Sequence, residues 1–254
     1  MSAVAVVTGG AKGIGWATSR RLAWDFPHVV IVDLDGRAAV ARAEELGQGH
    51  LGLGVDITDV AQAGGMVERV VADYGRIDVL INNAGIADQT GETLVQSGAA
   101  FERVLRVNVN GTFLVTQAVA GEMLARGQGS IVNLSSIAAL GGIPTRNAYA
   151  AAKAGVLGMT RSMACEWARR GIRVNAIAPG YVRTDLIEEL ERRGAIDIAT
   201  LESRTPMGRL AEPEEVAEAI AFLASPQASF ITGSVLVADG GWSALGAPEA
   251  SLQD

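Results

Sequence analysis

The sequence predicts a doubly wound α/β fold: a single parallel sheet of about seven strands with helices on both faces. Three observations predict it. Short runs such as Ala3 to Thr8 and Val29 to Val32 are apolar throughout, as strands buried on both faces must be. Stretches of ten or more residues with helical periodicity separate these runs. The first run breaks into a glycine-rich turn that opens a helix.

In chain order, the strand Ala3 to Thr8 precedes Gly9-Gly-Ala-Lys-Gly-Ile-Gly15 and a helix from Ile14 to about Trp24. A second strand, Val29 to Val32, ends in Asp33, and a helix follows from Gly36 to Leu46. A third strand runs from Leu51 to Val55, a helix from Val60 to Tyr74, and a fourth strand from Val79 to Asn82. One long helix covers Ala99 to Arg126. The strand Ser130 to Leu134 then leads to a helix that carries Tyr149 and runs to about Arg170. A sixth strand spans Arg173 to Ile177. A charged segment occupies Thr184 to Arg204, a helix Pro213 to Ala224, and the last strand Val235 to Ala238. No Pro/Ser-rich linker and no internal repeat interrupts the alternation, so residues 1–254 read as one domain.

Composition narrows the function. Hydrophobic residues make up 49% and charged residues 19%, which suits a globular chain and not a disordered one. A net charge of −7 and the absence of a Lys/Arg cluster argue against nucleic acid as a partner. No apolar run approaches the roughly 18 residues that span a membrane. The N-terminus shows no signal-peptide pattern, so a cytoplasmic location is expected. Cys165 is the only cysteine, placed in a helical pattern and read as packing. His28 and His50 are the only histidines, too few for a metal site or a Ser-His-Asp triad, and no metal is expected. Asn110-Gly-Thr112 and Asn133-Leu-Ser135 match the glycosylation pattern and are read as chance.

Two patterns carry chemistry. In a doubly wound sheet the first strand-to-helix turn cradles a dinucleotide pyrophosphate on main-chain amides. The spacing here is G-x-x-x-G-x-G, on Gly9, Gly13 and Gly15. Asp33 stands 18 residues past Gly15, where an acid accepts hydrogen bonds from the adenosine ribose and repels the extra phosphate of NADP. NAD is therefore favoured over NADP. Lys12, inside the loop, points the other way, since a cation there suits a 2′-phosphate. The second pattern is Tyr149-Ala-Ala-Ala-Lys153, which puts tyrosine and lysine one helical turn apart. An ammonium at that distance favours the phenolate and brings the tyrosine nearer to proton exchange at neutral pH.

With these residues in place, the chain resembles the short-chain dehydrogenase/reductase superfamily over Ala3 to Gly241. Thr8-Gly9-x-x-x-Gly13-Ile14-Gly15 is similar to its cofactor loop, and Asn82-Asn83-Ala84-Gly85 to its adenosine-side motif. Asn108, Ser136, Tyr149 and Lys153 resemble its catalytic tetrad. The resemblance implies cofactor contacts for Asp56 and Ile57 after the third strand, and for Pro179, Gly180, Val182 and Thr184 beside the nicotinamide. It implies that Tyr149 is the general base in alcohol oxidation and the acid in carbonyl reduction. Lys153 would hold the nicotinamide ribose, Ser136 the substrate oxygen, and Asn108 a water linking Lys153 to solvent. Ser135 is read as structural, and Asn108 also suits a helix distortion that satisfies main-chain groups.

The expected partner is a small-molecule substrate, a secondary alcohol of the polyol, sugar or hydroxy-acid class. The alternatives are NADPH-linked reduction of a 3-oxoacyl thioester and, from another class, a non-catalytic nucleotide-binding module. Substrate-facing candidates are Ile86 to Thr90, Ile137 to Arg146, Tyr181 and a lid at 184–206, where an ordinary solvated helix is the competing reading. Arg146 is expected either to meet a substrate hydroxyl or carboxylate or, with more weight, to face solvent or a neighbouring subunit. Ala148, Ala150, Ala151 and Ala154 form a small-residue face for helix packing, and similar proteins assemble this way, so a homotetramer is expected.

Overall fold

The strand order of the sheet is β3-β2-β1-β4-β5-β6-β7, with every pairing parallel, in a computed structural model that describes residues 3–87, 91–246 and 252. The strands are β1 Val4–Thr8, β2 His28–Asp33, β3 Leu51–Gly54, β4 Val79–Asn82, β5 Gly129–Leu134, β6 Ile172–Pro179 and β7 Val235–Ala238. Alternate residues serve opposite cores. Val4, Val6, Val30 and Val32 join one cluster, while Ala5, Val7, Val29 and Ile31 join the other. Both sets are buried, which is why these strands read as unbroken apolar runs.

The helices divide between the two faces. Helices α1 (Gly13–Leu22), α2 (Gly36–Leu46) and α9 (Pro213–Ala224) cover one side through Leu22, Ala39, Val216 and Ile220. Helices α3 (Val60–Tyr74), α5 (Thr112–Arg126) and α6 (Asn147–Trp167) cover the other through Met66, Val70, Val119, Met123 and Trp167. Where end signals are written into the sequence, the expected boundaries hold. Asp35 caps α2, Asp59 caps α3 by accepting from the amides of Ala61 and Gln62, and Gly75 ends α3 in the left-handed conformation.

Three expectations need correction. The helix expected over Ala99 to Arg126 has three parts: α4 (Gly98–Leu105), a π-helical turn (Arg106–Gly111) and α5. The charged segment from Thr184 folds into two short helices, α7 (Asp185–Arg192) and α8 (Ile198–Arg204). Ala148, assigned to an outward small-residue face of α6, is instead buried against Val104 of α4, while Ala151 and Ala154 face outward. Among the described residues no helix is long and apolar enough to cross a membrane. None of their His, Cys, Asp and Glu side chains group to hold a metal ion.

Candidate active site

The strand order reverses direction between β1 and β4, and there the loops leaving the two strands diverge to opposite faces. A cleft of about 940 Å³ opens at the C-terminal strand ends. Its walls take Gly9, Asp33, Asn83, Ser136 and Pro179, residues from five successive strand ends.

The glycine loop is shaped for close main-chain approach. Gly9 and Gly13 have φ of 60° and 52°, a region that favours glycine. A Cβ on Gly15 would overlap the carbonyl oxygen of Gly9, with even the carbonyl carbon only 2.9 Å away. Helix α1 begins at Gly13, on the cleft wall, without a side-chain cap on its first amides. Uncapped amides, left-handed glycines and a carboxylate at the end of β2 together suit a dinucleotide pyrophosphate and ribose. Asp33 lines the cleft and is fixed there: Ala11 N donates to Oδ2 at 3.2 Å and Asp35 N to Oδ1 at 3.2 Å.

Every residue expected at the cofactor lines this cleft except two. Gly15 stands behind the loop as its packing contact. Thr8 is buried, and its Oγ1 accepts from the amides of Asn83 and Ala84, each at 3.1 Å. Asn83 returns the favour to the loop, its Nδ2 donating to the carbonyls of Thr8 and Gly9 at 3.0 and 2.8 Å. Both outliers therefore set the shape of the wall without lining it. Lys12, Ile14, Asp56, Ile57, Gly180, Val182 and Thr184 all lie on the wall. Asp56 Oδ1 accepts from the amide and hydroxyl of Thr58, which turns the chain at the end of β3.

Asn108 sits in the π-helical turn, buried, with both ends of its carboxamide committed. Oδ1 accepts from Ile86 N at 3.1 Å and Nδ2 donates to Ile86 O at 2.8 Å. The distortion of the long helix thus delivers an asparagine that splices the loop after β4 to α5. Gly85 is glycine for the same reason, because a Cβ there would run into the Asn108 carboxamide and lie 3.6 Å from Lys153 Nζ.

Ser136, Tyr149 and Lys153 share the facing wall. Ser136 Oγ accepts from Ala138 N at 3.2 Å, which leaves its O–H to donate. Ser135 donates to the Lys153 carbonyl at 3.0 Å and is structural, as expected. Lys153 Nζ lies 5.5 Å from the centre of the Tyr149 ring and donates to the Leu134 carbonyl at 2.8 Å. Burial lowers the Lys153 pKa from 10.5 to about 8, because a charged ammonium is disfavoured away from water. The ammonium is still the major form at neutral pH.

The substrate end holds what the sequence did not settle. Arg146, weighted toward solvent or a neighbouring subunit, turns into the cleft, with Cζ 5.3 Å from the Tyr149 ring centre. Tyr181 and the apolar side chains Ile86, Ile137, Ile143, Leu186, Ile187 and Leu190 complete this end. Of the segment expected to face the substrate between Ile86 and Thr90, residues 88–90 lie outside the described residues. Arg103 and Arg106 also line the cleft, and no local pattern in the sequence marks them.

Residues 9–243 match the family described as enoyl-(acyl carrier protein) reductase. A cis-4-hydroxycyclohexanecarboxylate dehydrogenase of Sinomonas cyclohexanicum is 46% identical over 95% of this chain and 97% of its own length. An uncharacterized short-chain type dehydrogenase/reductase of Sinorhizobium fredii is 45% identical over 98% of this chain, which spans only 45% of that protein. The solved structure of ElxO with NADP bound superposes with a TM-score of 0.91 at 32% identity, covering 96% of this chain and all of that one.

Proposed function

The chain belongs to the short-chain dehydrogenase/reductase superfamily, and from that premise we propose that it transfers a hydride between NAD(H) and a secondary alcohol or its ketone. The observation that carries the proposal is the common wall of Ser136, Tyr149 and Lys153, facing across the cleft to the glycine loop. The nicotinamide cofactor, when bound, supplies the hydride chemistry. The chain supplies placement and proton transfer. In alcohol oxidation the Tyr149 phenolate takes the hydroxyl proton, and in ketone reduction the phenol returns it. The Lys153 ammonium favours the phenolate, while the Ser136 hydroxyl donates to the substrate oxygen. Asn108 acts as a positioning residue, since it fixes the loop at Ile86.

The cofactor is read as NAD because Asp33 puts a negative charge at the ribose end. The named activity of the Sinomonas relative supports a substrate that pairs a secondary alcohol with a carboxylate, within the polyol, sugar and hydroxy-acid class. NADPH-linked reduction of a 3-oxoacyl thioester is the second reading, with Lys12 on the cleft wall in its favour. Helices α7 and α8 serve as the lid of a single cytoplasmic domain. Thr184, at the base of α7, reaches across to the glycine loop, its Cγ2 3.4 Å from where a Cβ on Gly13 would lie. The outward Ala151 and Ala154, with exposed Phe113 on α5, support assembly as a homotetramer. Light scattering at micromolar concentration is expected to give four times 26.3 kDa, and a monomeric mass refutes the assembly.

The test of the reaction is Tyr149→Phe, followed by absorbance of NADH at 340 nm over a panel of secondary alcohols. Turnover is expected to fall at least about a hundredfold, as loss of a general base requires. NADH binding should be retained. Undiminished turnover removes the assignment of Tyr149.

A further inference from the structure

We infer that the substrate carries a carboxylate which Arg146 binds, so that this enzyme acts on a hydroxy acid with an apolar body. The inference deepens the reaction proposed above and rests on it.

The cation is built into the reacting end of the cleft. Arg146 Cζ and Lys153 Nζ stand at nearly equal distances from the Tyr149 ring, 5.3 and 5.5 Å. Lys153 is committed to the Leu134 carbonyl, deep in the wall. The Arg146 charge also reaches Tyr181, where it opposes the rise in pKa that burial imposes. The guanidinium therefore lies within electrostatic reach of two tyrosines that face the same space.

Around it the wall is mainly aliphatic, with Ile137 and Ile143 on one side, Leu186, Ile187 and Leu190 on the other, and Asp185 at the foot of α7 as the acid of that side. Between Ser136 and Tyr181 the described lining residues include no acid. A polyol placed here would leave several hydroxyls facing isoleucine and leucine, with a desolvation cost for each. A carbocyclic or short aliphatic body with one carboxylate leaves none, because a planar guanidinium accepts a carboxylate with two parallel bonds. The guanidinium has five N–H donors, of which such a pair uses two.

The direction of Arg146 is imposed by the backbone. Thr145, just before it, has φ of 69°, a region that a β-branched residue enters only under constraint. The constraint comes from outside the cleft. Gln96 Nε2 donates to the Thr145 carbonyl at 3.0 Å, and Asn147 Nδ2 donates to Gln96 Oε1 at 3.1 Å and to Thr93 Oγ1 at 2.8 Å. A strained turn, clamped from behind, is what an inward arginine three residues before the catalytic tyrosine requires.

The test uses the whole protein with NADH bound. Calorimetry measures binding of cyclohexanecarboxylate and of cyclohexanecarboxamide to the wild type, Arg146→Gln and Arg146→Lys. The wild type is expected to bind the carboxylate at least about tenfold more tightly than the carboxamide, as a charge-assisted pair implies. Arg146→Gln should remove that preference, and Arg146→Lys, which keeps the charge without the fork, should keep part of it. Equal affinities in the wild type overturn the inference, as does a loss in Arg146→Gln that falls equally on both ligands. NADH formation from secondary alcohols is read separately. Carboxylate binding without turnover of any alcohol sinks the proposed reaction and leaves the anion site standing. Turnover of neutral alcohols without a carboxylate preference does the reverse.

Discussion

On the side of the cleft formed by β1, β2 and β4, the wall is main chain braced by side chains. Asn83 holds the carbonyls of Thr8 and Gly9, Asn108 holds both main-chain groups of Ile86, and Asp33 holds the amide of Ala11. On the side formed by residues 137–146 and by α7, the wall is side chains, and α7 buries none of its residues. The first side has one arrangement that fits, because main-chain atoms meeting at contact distance leave no room for a Cβ. The second can change its lining without disturbing the sheet. A fold that must hold one cofactor but accept different alcohols needs this division.

Glycine substitutions break the comparison most directly. Gly15→Ala puts a methyl group into the Gly9 carbonyl and against the Asn83 carboxamide that braces it, and the Gly9 backbone cannot yield. A loss of more than about 3 kcal/mol is expected. Urea unfolding measures it, with NADH fluorescence reporting the collapse of cofactor binding. Gly142→Ala is the matching change on the other side. A Cβ there meets nothing within 4 Å, so a change within about 0.5 kcal/mol is expected. Equal losses at the two positions would dissolve the distinction between the halves.

Lys153 stands on the seam, and burial makes its charge costly to the cofactor-free protein. Its pKa in the fold, about 8, lies below the 10.5 of an ordinary lysine, so the fold favours the neutral amine. The penalty is full below pH 8 and fades as the pH rises from 8 toward 10.5. Lys153→Met is therefore expected to stabilise the cofactor-free protein at pH 7 by up to about 3 kcal/mol, less the cost of leaving the Leu134 carbonyl without its donor. By pH 10.5 the gain should vanish while activity stays lost at every pH. Denaturant midpoints at pH 7 and 10.5 check this, and a variant less stable than wild type at pH 7 refutes it.

The same division explains what the sequence made legible. Gly9, Gly13, Gly15 and Asn83 could be placed in advance because main-chain geometry restricts which residues can stand there. The capped helices α2 and α3 were bounded correctly since Asp35, Asp59 and Gly75 are local signals. The π-helical turn was legible only in part, as a helix distortion at Asn108 that satisfies main-chain groups. Its cause is the long-range bond from Asn108 to Ile86, 22 residues away, and no periodicity in Ala99 to Arg126 announces it. The inward turn of Arg146 was hidden for a similar reason, since Gln96, 49 residues before Thr145, sets it. The Ala-rich face of α6 was misjudged at Ala148 because α4 packs back onto α6, a contact that a single helix cannot reveal.

The smallest of these effects bears on the sharpest functional claim. Asp33 has two roles that a single substitution would confound: it braces the loop through Ala11 N and presents a negative charge to the cleft. Asp33→Ala removes both, whereas Asp33→Asn removes the charge and keeps one acceptor oxygen for the loop. If charge excludes the additional phosphate, both variants should raise the ratio of kcat/KM for NADP to that for NAD by about tenfold, worth about 1.4 kcal/mol. Only the alanine variant should then weaken NAD itself through loss of the brace. A ratio that moves in Asp33→Ala alone would assign the preference to loop shape, and a ratio unmoved in both would remove the argument for NAD. With the carboxylate gone, Lys12 is left as the cation of the glycine loop, with Asp56 still on the wall, so the size of the shift also measures how far a loop lysine can recruit a phosphate against a braced glycine turn.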